Sequence, residues 1–277
     1  MYEPLIVLDV GANKGEFLDH ILKSYVGAKV IAFEPNQPLC MDSLEKLKIK
    51  HKDRLAIEYK ALGSKSGKST LYGANLMNGQ LGSLVPLNSE SVGWKQHTHL
   101  DLKNYENLTI DTISVIDYLK NSKNYKIDLL KIDTQGTDLS ILAEFLLFSE
   151  VKVGIIEIDA GNFGVGSRYK TAVNDINKLA SILSNHNFLI TKLIPNNAQS
   201  DEFNVYFAKS FEDFELIYGT LDLANNPVLS RYSVIQDLYS NSNLSILNLS
   251  KKLIKKIYVG LFHPRSSLKS LIIKVTS

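Results

Sequence analysis

Apolar runs and amphipathic stretches alternate along this chain. Leu5 to Val10 (LIVLDV) is apolar on both sides of its alternation, which predicts a strand buried on both faces, as in a parallel sheet. Glu16 to Tyr25 follows, with Phe17, Ile21 and Leu22 at helical spacing. Ala28 to Glu34 (AKVIAFE) reads as a second strand, and Pro35 and Pro38 then open a helix through Leu39, Leu44 and Leu47. Leu55 to Leu62 reads as a third strand, Ser64 to Gly67 as a turn, and Ser69 to Tyr72 as the start of a small hairpin. Thr109 to Leu119, with Ile113, Ile116 and Leu119 spaced for a short helix, leads into a fourth strand, Ile127 to Asp133. A helix over Leu139 to Phe148 and a fifth strand, Val151 to Asp159, come next. An amphipathic helix is expected from Tyr169 to Leu183, then two strands, Phe188 to Ile194 and Asn204 to Ala208. Strands and helices that alternate and end in a hairpin predict an α/β fold, a parallel sheet with one antiparallel strand.

Between the first strand and the first helix the chain reads Asp9-x-Gly11-x-Asn13-x-Gly15. Glycines at a sharp strand-to-helix turn let backbone approach a ligand, and the first helical N–H groups face it. Dinucleotides use G-x-G-x-x-G for this purpose, and S-adenosylmethionine (SAM) a looser pattern that begins with an acidic residue. The tight spacing that lays backbone on a pyrophosphate is missing here. A carboxylate at Asp9 suits the cationic amino acid end of SAM better than a pyrophosphate. Glu34, at the tip of the second strand and 19 positions after Gly15, is placed to accept hydrogen bonds from ribose hydroxyls.

DVGANKG (Asp9–Gly15), FEPN (Phe33–Asn36) and LLKIDTQGTDLSIL (Leu129–Leu142) together resemble the FkbM family of SAM-dependent methyltransferases. The resemblance runs from about Leu5 to Lys209. It implies a class I, Rossmann-like methyltransferase fold with a seven-stranded sheet of order 3-2-1-4-5-7-6. It also implies SAM as cofactor and O-methylation, commonly of a sugar or glycan hydroxyl. The third block departs from the family's usual acidic residue after Gly-Ala: this chain has Gly136-Thr137-Asp138, a shorter carboxylate.

In an open parallel sheet, ligands bind at the carboxyl ends of the strands beside the switch point. The expected cofactor-binding residues are therefore Asp9, Gly11, Asn13, Gly15, Glu34, Asn36, Ala61 and Leu62. Lys131 is a lysine near the end of a buried strand and needs carboxylate partners; Asp9, Glu157 and Asp159 are the neighbours expected to supply them. It reads as a structural ion pair, with a role in placing the acceptor hydroxyl or the SAM carboxylate as the alternative. A sugar hydroxyl is a poor nucleophile and benefits from a general base. Asp133 is the first choice, because the fourth strand's tip should face the methyl group, and Glu157 and Asp159 are the others. Asp133 could equally serve as an acceptor for backbone N–H groups in the TQG turn. Asp138 is expected at the start of the following helix, where a carboxylate complements the dipole.

Composition adds boundaries. The chain has 277 residues, 44% hydrophobic and 22% charged, enough for one large domain plus an extension. We divide it into a SAM-binding domain over residues 1–209 and a helical carboxyl-terminal extension over 210–277. Cys40 is the one cysteine, read as an apolar helix residue, so a disulfide framework or cysteine zinc site within one chain is excluded. This fits a reducing compartment, and with no signal-peptide pattern or bilayer-length apolar run the expected location is cytoplasmic. Gly73 to Asp101, with Trp94, His97 and His99, reads as a binding loop or lid; the two histidines lack an obvious third metal ligand. Residues 241–277 contain seven Lys plus Arg and no Asp or Glu, leaving 24 Lys plus Arg against 29 Asp plus Glu, a charge of −5, elsewhere. Lys251, Lys252, Lys255 and Lys256 interleave with an apolar helical face. That face is read as packing on the domain or on a second copy, with peripheral membrane contact as the alternative. No basic, aromatic groove for nucleic acid is evident. Two other functions stay open at this point: a non-catalytic SAM-fold scaffold, and an NAD-type oxidoreductase.

Overall fold

A computed structural model describes residues 4–91, 94, 99–122, 125–159, 168–170, 174–195 and 202–229. Strands β1 (Leu5–Val10), β2 (Ala28–Phe33) and β3 (Leu55–Glu58) alternate with helices α1 (Glu16–Ser24) and α2 (Gln37–His51). Next come β4 (Ala61–Gly63), β5 (Gly67–Tyr72), β6 (Asn107–Ser114) and α3 (Val115–Ser122). The second half runs β7 (Lys126–Ile132), α4 (Asp138–Phe148), β8 (Glu150–Asp159), α5 (Ile176–Asn185), β9 (Leu189–Pro195), β10 (Glu202–Ala208) and α6 (Phe211–Thr220).

The main sheet has seven strands in the order β3-β2-β1-β7-β8-β10-β9, with β10 antiparallel to both neighbours. Numbered by their own succession, these strands give 3-2-1-4-5-7-6, the class I methyltransferase order. Alternation along each strand feeds two cores. Leu8, Val10, Leu130 and Ile132 meet Val115, Leu142 and Leu179 from α3, α4 and α5 on one face. Val7 and Leu129 meet Phe17, Leu44 and Ile217 from α1, α2 and α6 on the other. Asp19 ties α1 to α2, its carboxylate 2.7 Å from both Lys50 Nζ and His51 Nε2. Among the described residues no helix is long and apolar enough to cross a membrane.

Three sequence expectations change here. The third strand is not continuous. Its ladder with β2 ends where Glu34 N donates to Glu58 O (3.1 Å); the next N–H on that edge, of Asn36, turns back to Glu34 Oε1 (2.8 Å). Ala61–Gly63 then joins a separate three-stranded sheet, order β4-β6-β5. The region expected to turn helical by Ile113 is strand as far as Ser114, since Ile110, Thr112 and Ser114 alternate inward. Helix α5 starts at Ile176, not Tyr169: Asp175 is in extended conformation and caps it by accepting from Lys178 N (2.9 Å). Tyr169 instead pairs with Leu87 in an isolated bridge and packs beside Trp94.

Beyond Lys209, α6 and the residues to Leu229 lie on the domain. Phe214, Ile217, Leu221, Leu223 and Leu229 join the core that holds α1, and His20 Nε2 lies 2.9 Å from Asp222 O. The basic amphipathic segment from 241 lies outside the described residues.

Candidate active site

Register sets the site. Val10 pairs with Phe33 and with Ile132, and Ile132 with Ile156. The residues that come next after these paired positions, Gly11, Glu34, Asp133 and Glu157, therefore line up along one edge of the parallel strands. A cavity of about 630 Å3 opens there, and all four contribute to its wall.

One side is backbone and amide. Gly11, Asn13 and Gly15 all have left-handed backbone, with φ of 85°, 48° and 85°. At Gly11 a Cβ would lie 1.9 Å from Asp133 O, so only glycine lets the β1 loop touch the β7 loop. Glu34 is buried and accepts from Asn13 N (2.7 Å) through Oε2 and from Asn36 N (2.8 Å) through Oε1. A carboxylate can accept about four hydrogen bonds, so two acceptor positions remain. Burial pushes the Glu34 carboxyl up to about 7, against the pull of those two backbone donors. Asn36, also at the wall, donates to Ala74 O (2.7 Å), while its buried Oδ1 has no hydrogen-bond partner among the described residues. Ala61 and Leu62 close this side from β4 of the small sheet, where the sequence placed them at the end of a continuous third strand.

Lys131 lies behind the middle of the wall. Its Nζ is 3.1 Å from Asp9 Oδ1, 3.4 Å from Gly11 O and 3.9 Å from Asp133 Oδ2. Burial alone would lower its pKa, but Asp9, Asp133 and Glu157 outweigh burial and hold the ammonium above its ordinary range. Asp9 is fully buried and turns Oδ1 to this ammonium. The expected carboxylate partners of Lys131 are present in Asp9 and Glu157, whereas the side chain of Asp159 lies outside those described.

The other side is acidic and aromatic. Asp133 and Glu157 are joined by Gln135, whose Nε2 donates to Asp133 Oδ1 and Glu157 Oε1, both at 2.9 Å. Trp94, Glu202 and Asn204 complete this side. Arg168 pairs with Glu202 and lies 5.4 Å from the Trp94 ring centroid. Asp138 takes the structural role considered for Asp133. Its carboxylate accepts from Thr134 N (2.6 Å), Gly136 N (2.8 Å) and Asn174 Nδ2 (2.8 Å), pinning the TQG turn to the start of α4.

The family model of the methyltransferase FkbM domain matches residues 9–190, two thirds of the chain. The chain belongs to the FkbM methyltransferase family. The FkbM match begins inside β1 and ends inside β9, so it takes in both sides of the cavity except Glu202, Asn204 and Val228. No curated protein matches the sequence. Similar solved structures include magnesium protoporphyrin IX methyltransferase from Synechocystis PCC 6803 with bound SAM, at 10% identity and a TM-score of 0.39, covering 75% of this chain and 71% of that one. Another is the 1,6-didemethyltoxoflavin-N1-methyltransferase of Burkholderia thailandensis, with bound 1,6-didemethyltoxoflavin and S-adenosylhomocysteine, at 12% identity and a TM-score of 0.40, covering 75% and 72%.

Sequence reasoning did not single out Gln135, Tyr169 or Ser83 as site residues. Gln135 lay within the third block, but nothing in the sequence set its left-handed conformation (φ 57°) or showed that its amide turns toward both carboxylates. Of the loop histidines, His97 lies outside the described residues and His99 is exposed. Among the described residues no group of three or more His, Cys, Asp or Glu is arranged to hold a metal ion. Cys40 is buried, and desolvation pushes its thiol up to about 12, which makes it inert as a nucleophile.

Proposed function

We propose that the protein is a SAM-dependent O-methyltransferase acting on a hydroxyl of a sugar or glycan, in the cytoplasm. The observation that carries this reading is one cavity with two differently built walls, Gly11 to Asn36 on one side and the Asp133–Glu157 pair on the other. The first wall fits the cofactor by its donor and acceptor set: Glu34 has spare acceptor positions for a ribose diol, and the buried Asn36 Oδ1 lacks a donor. Gly11 and Asn13 bring backbone to this wall, Ala61 and Leu62 give it an apolar part, and Gly15 packs against Leu44 and Leu47 of α2. Bound there, SAM would supply a methyl group on a sulfonium leaving group.

The chain's own part is to place the acceptor and take its proton. Asp133 is 27% exposed at its side chain, open enough to meet a hydroxyl while Gln135 and Lys131 hold its two oxygens. The hydroxyl proton released on methyl transfer would pass to the Asp133 carboxylate. Glu157 is the second acceptor on the same edge, and Lys131 keeps Asp133 oriented. Glu157, Glu202, Asn204 and the Trp94 ring offer hydrogen-bond acceptors beside an aromatic face, a set that suits a polyhydroxylated ring. The one cysteine, buried and unpaired, supports a reducing compartment. Calorimetry with SAM and with NAD tests the cofactor, and tight NAD binding without SAM binding would overturn the reading. Turnover of labelled SAM against a panel of glycans tests the acceptor; SAM binding with no transfer to any hydroxyl would favour a scaffold.

A further inference from the structure

We infer that Gln135 is a positioning residue that clamps Asp133 and Glu157 into one acceptor-facing pair, with Tyr169 deciding which way its amide points. The inference rests on the hydroxyl-methylation reading above, extends the hold of Gln135 from Asp133 to Glu157, and adds Ser83 and Tyr169, to which that reading gives no role. Four contacts among the described residues hold Gln135. Ser83 Oγ donates to its main-chain oxygen at 2.6 Å, fixing a left-handed backbone between β7 and α4. Tyr169 Oη donates to Oε1 at 2.6 Å. Nε2 gives one N–H to Asp133 and the other to Glu157.

The amide is directional. Turned over, it would aim Oε1, an acceptor, at two carboxylates that accept only. The orientation drawn puts both donors on the carboxylates, and the phenol O–H satisfies the remaining oxygen. Each carboxylate thus gives one lone pair to Gln135 while it lines the cavity wall. Tyr169 is itself buried against Trp94, 6.3 Å between ring centroids and close to perpendicular. The aromatic wall of the acceptor side therefore also holds the switch that orients the amide. Both residues come from outside the strand tips: Ser83 from the loop after β5 and Tyr169 from the segment before α5.

The test uses the full chain with Gln135→Met, which keeps the length of the side chain without its polar atoms, with Tyr169→Phe, and with the pair. Gln135→Met should lower kcat by roughly 10- to 100-fold through misplacement of the reacting groups, leaving SAM affinity by calorimetry and the thermal midpoint near those of the wild type. Tyr169→Phe should lower kcat less, and the double variant should match Gln135→Met alone, because both act through one amide. A kcat within twofold of wild type for Gln135→Met, or effects that multiply in the double variant, overturns the clamp.

A second readout needs no acceptor. The 15N side-chain amide signals of Gln135, identified by their loss in Gln135→Met, should exchange with water about tenfold more slowly than those of exposed glutamines. Tyr169→Phe should remove that protection. Unprotected signals in the wild type overturn the clamp however active the enzyme is. Protected signals in a protein that methylates no hydroxyl leave the clamp standing and bring down the acceptor reading instead.

Discussion

At the scale of single residues, the site is governed by burial. Glu34 has an ordinary pKa of 4.5 and is pushed up to about 7 by desolvation. Its folded value lies above its unfolded value, so its contribution to stability is complete below 4.5 and is lost as pH rises through about 7. Donors from a ribose diol favour the ionised form, so SAM binding below about pH 7 must expel a proton. Affinity for SAM should therefore rise between about pH 6 and pH 8, and calorimetry in two buffers of different ionisation enthalpy should show proton release. Glu34→Gln should weaken SAM binding by roughly 1–3 kcal/mol at neutral pH and flatten this dependence. An unchanged profile in the variant would remove Glu34 from the ribose role. Asp133→Asn keeps the shape of the base but cannot take a proton. Methyl transfer should fall roughly 100- to 10,000-fold with SAM binding little changed; rate and binding lost together would make Asp133 a structural residue.

At the scale of elements, close packing explains positions that sequence patterns leave blank. Gly154 interrupts the apolar run of β8, and a Cβ there would lie 1.9 Å from the Phe207 ring on β10. Phe207 cannot easily yield, being fully buried and edge-on to Phe188 at 5.5 Å. Gly154→Ala should cost about 1–3 kcal/mol by overpacking, read as a lower urea midpoint with an unchanged slope. A stability equal to wild type would mean that β10 shifts freely. Most strand cores were legible because their apolar runs end abruptly at Asp9, Glu34, Asp133 and Glu157. The break after Glu58 was not, because LAIEYKAL contains no Gly, Pro, Asn, Asp or Ser to mark a turn. Its pairing ends where the Asn36 N–H of the adjacent strand is taken by the Glu34 carboxylate.

At the scale of the whole molecule, charge and connectivity separate. Residues 241–277 carry seven positive charges and no acidic residue. Our expectation is that this segment packs its apolar face on the domain or on a second copy. Truncation after Tyr239 should then lower the thermal midpoint or change the oligomer size, and the full-length protein should not sediment with anionic vesicles. Salt-sensitive vesicle binding by the full chain, lost on truncation, would point to an interfacial helix instead.

The sequence by itself determined the alternation of strands and helices, the glycine turn after β1 and the identity of the polar residues at each strand tip. Those features are local: buried runs must be apolar, and a left-handed turn favours glycine. Neighbour relations were decided only by the tertiary structure. The register Val10–Ile132–Ile156 brings Asp133 beside Glu157 and Lys131 beside Asp9, so that Asp9 and Lys131 form a buried ion pair. Gln135, Ser83 and Tyr169 come from three segments separated by up to 86 positions (169 minus 83). No periodicity links them, because what joins them is the direction of an amide and a phenol across a folded cavity.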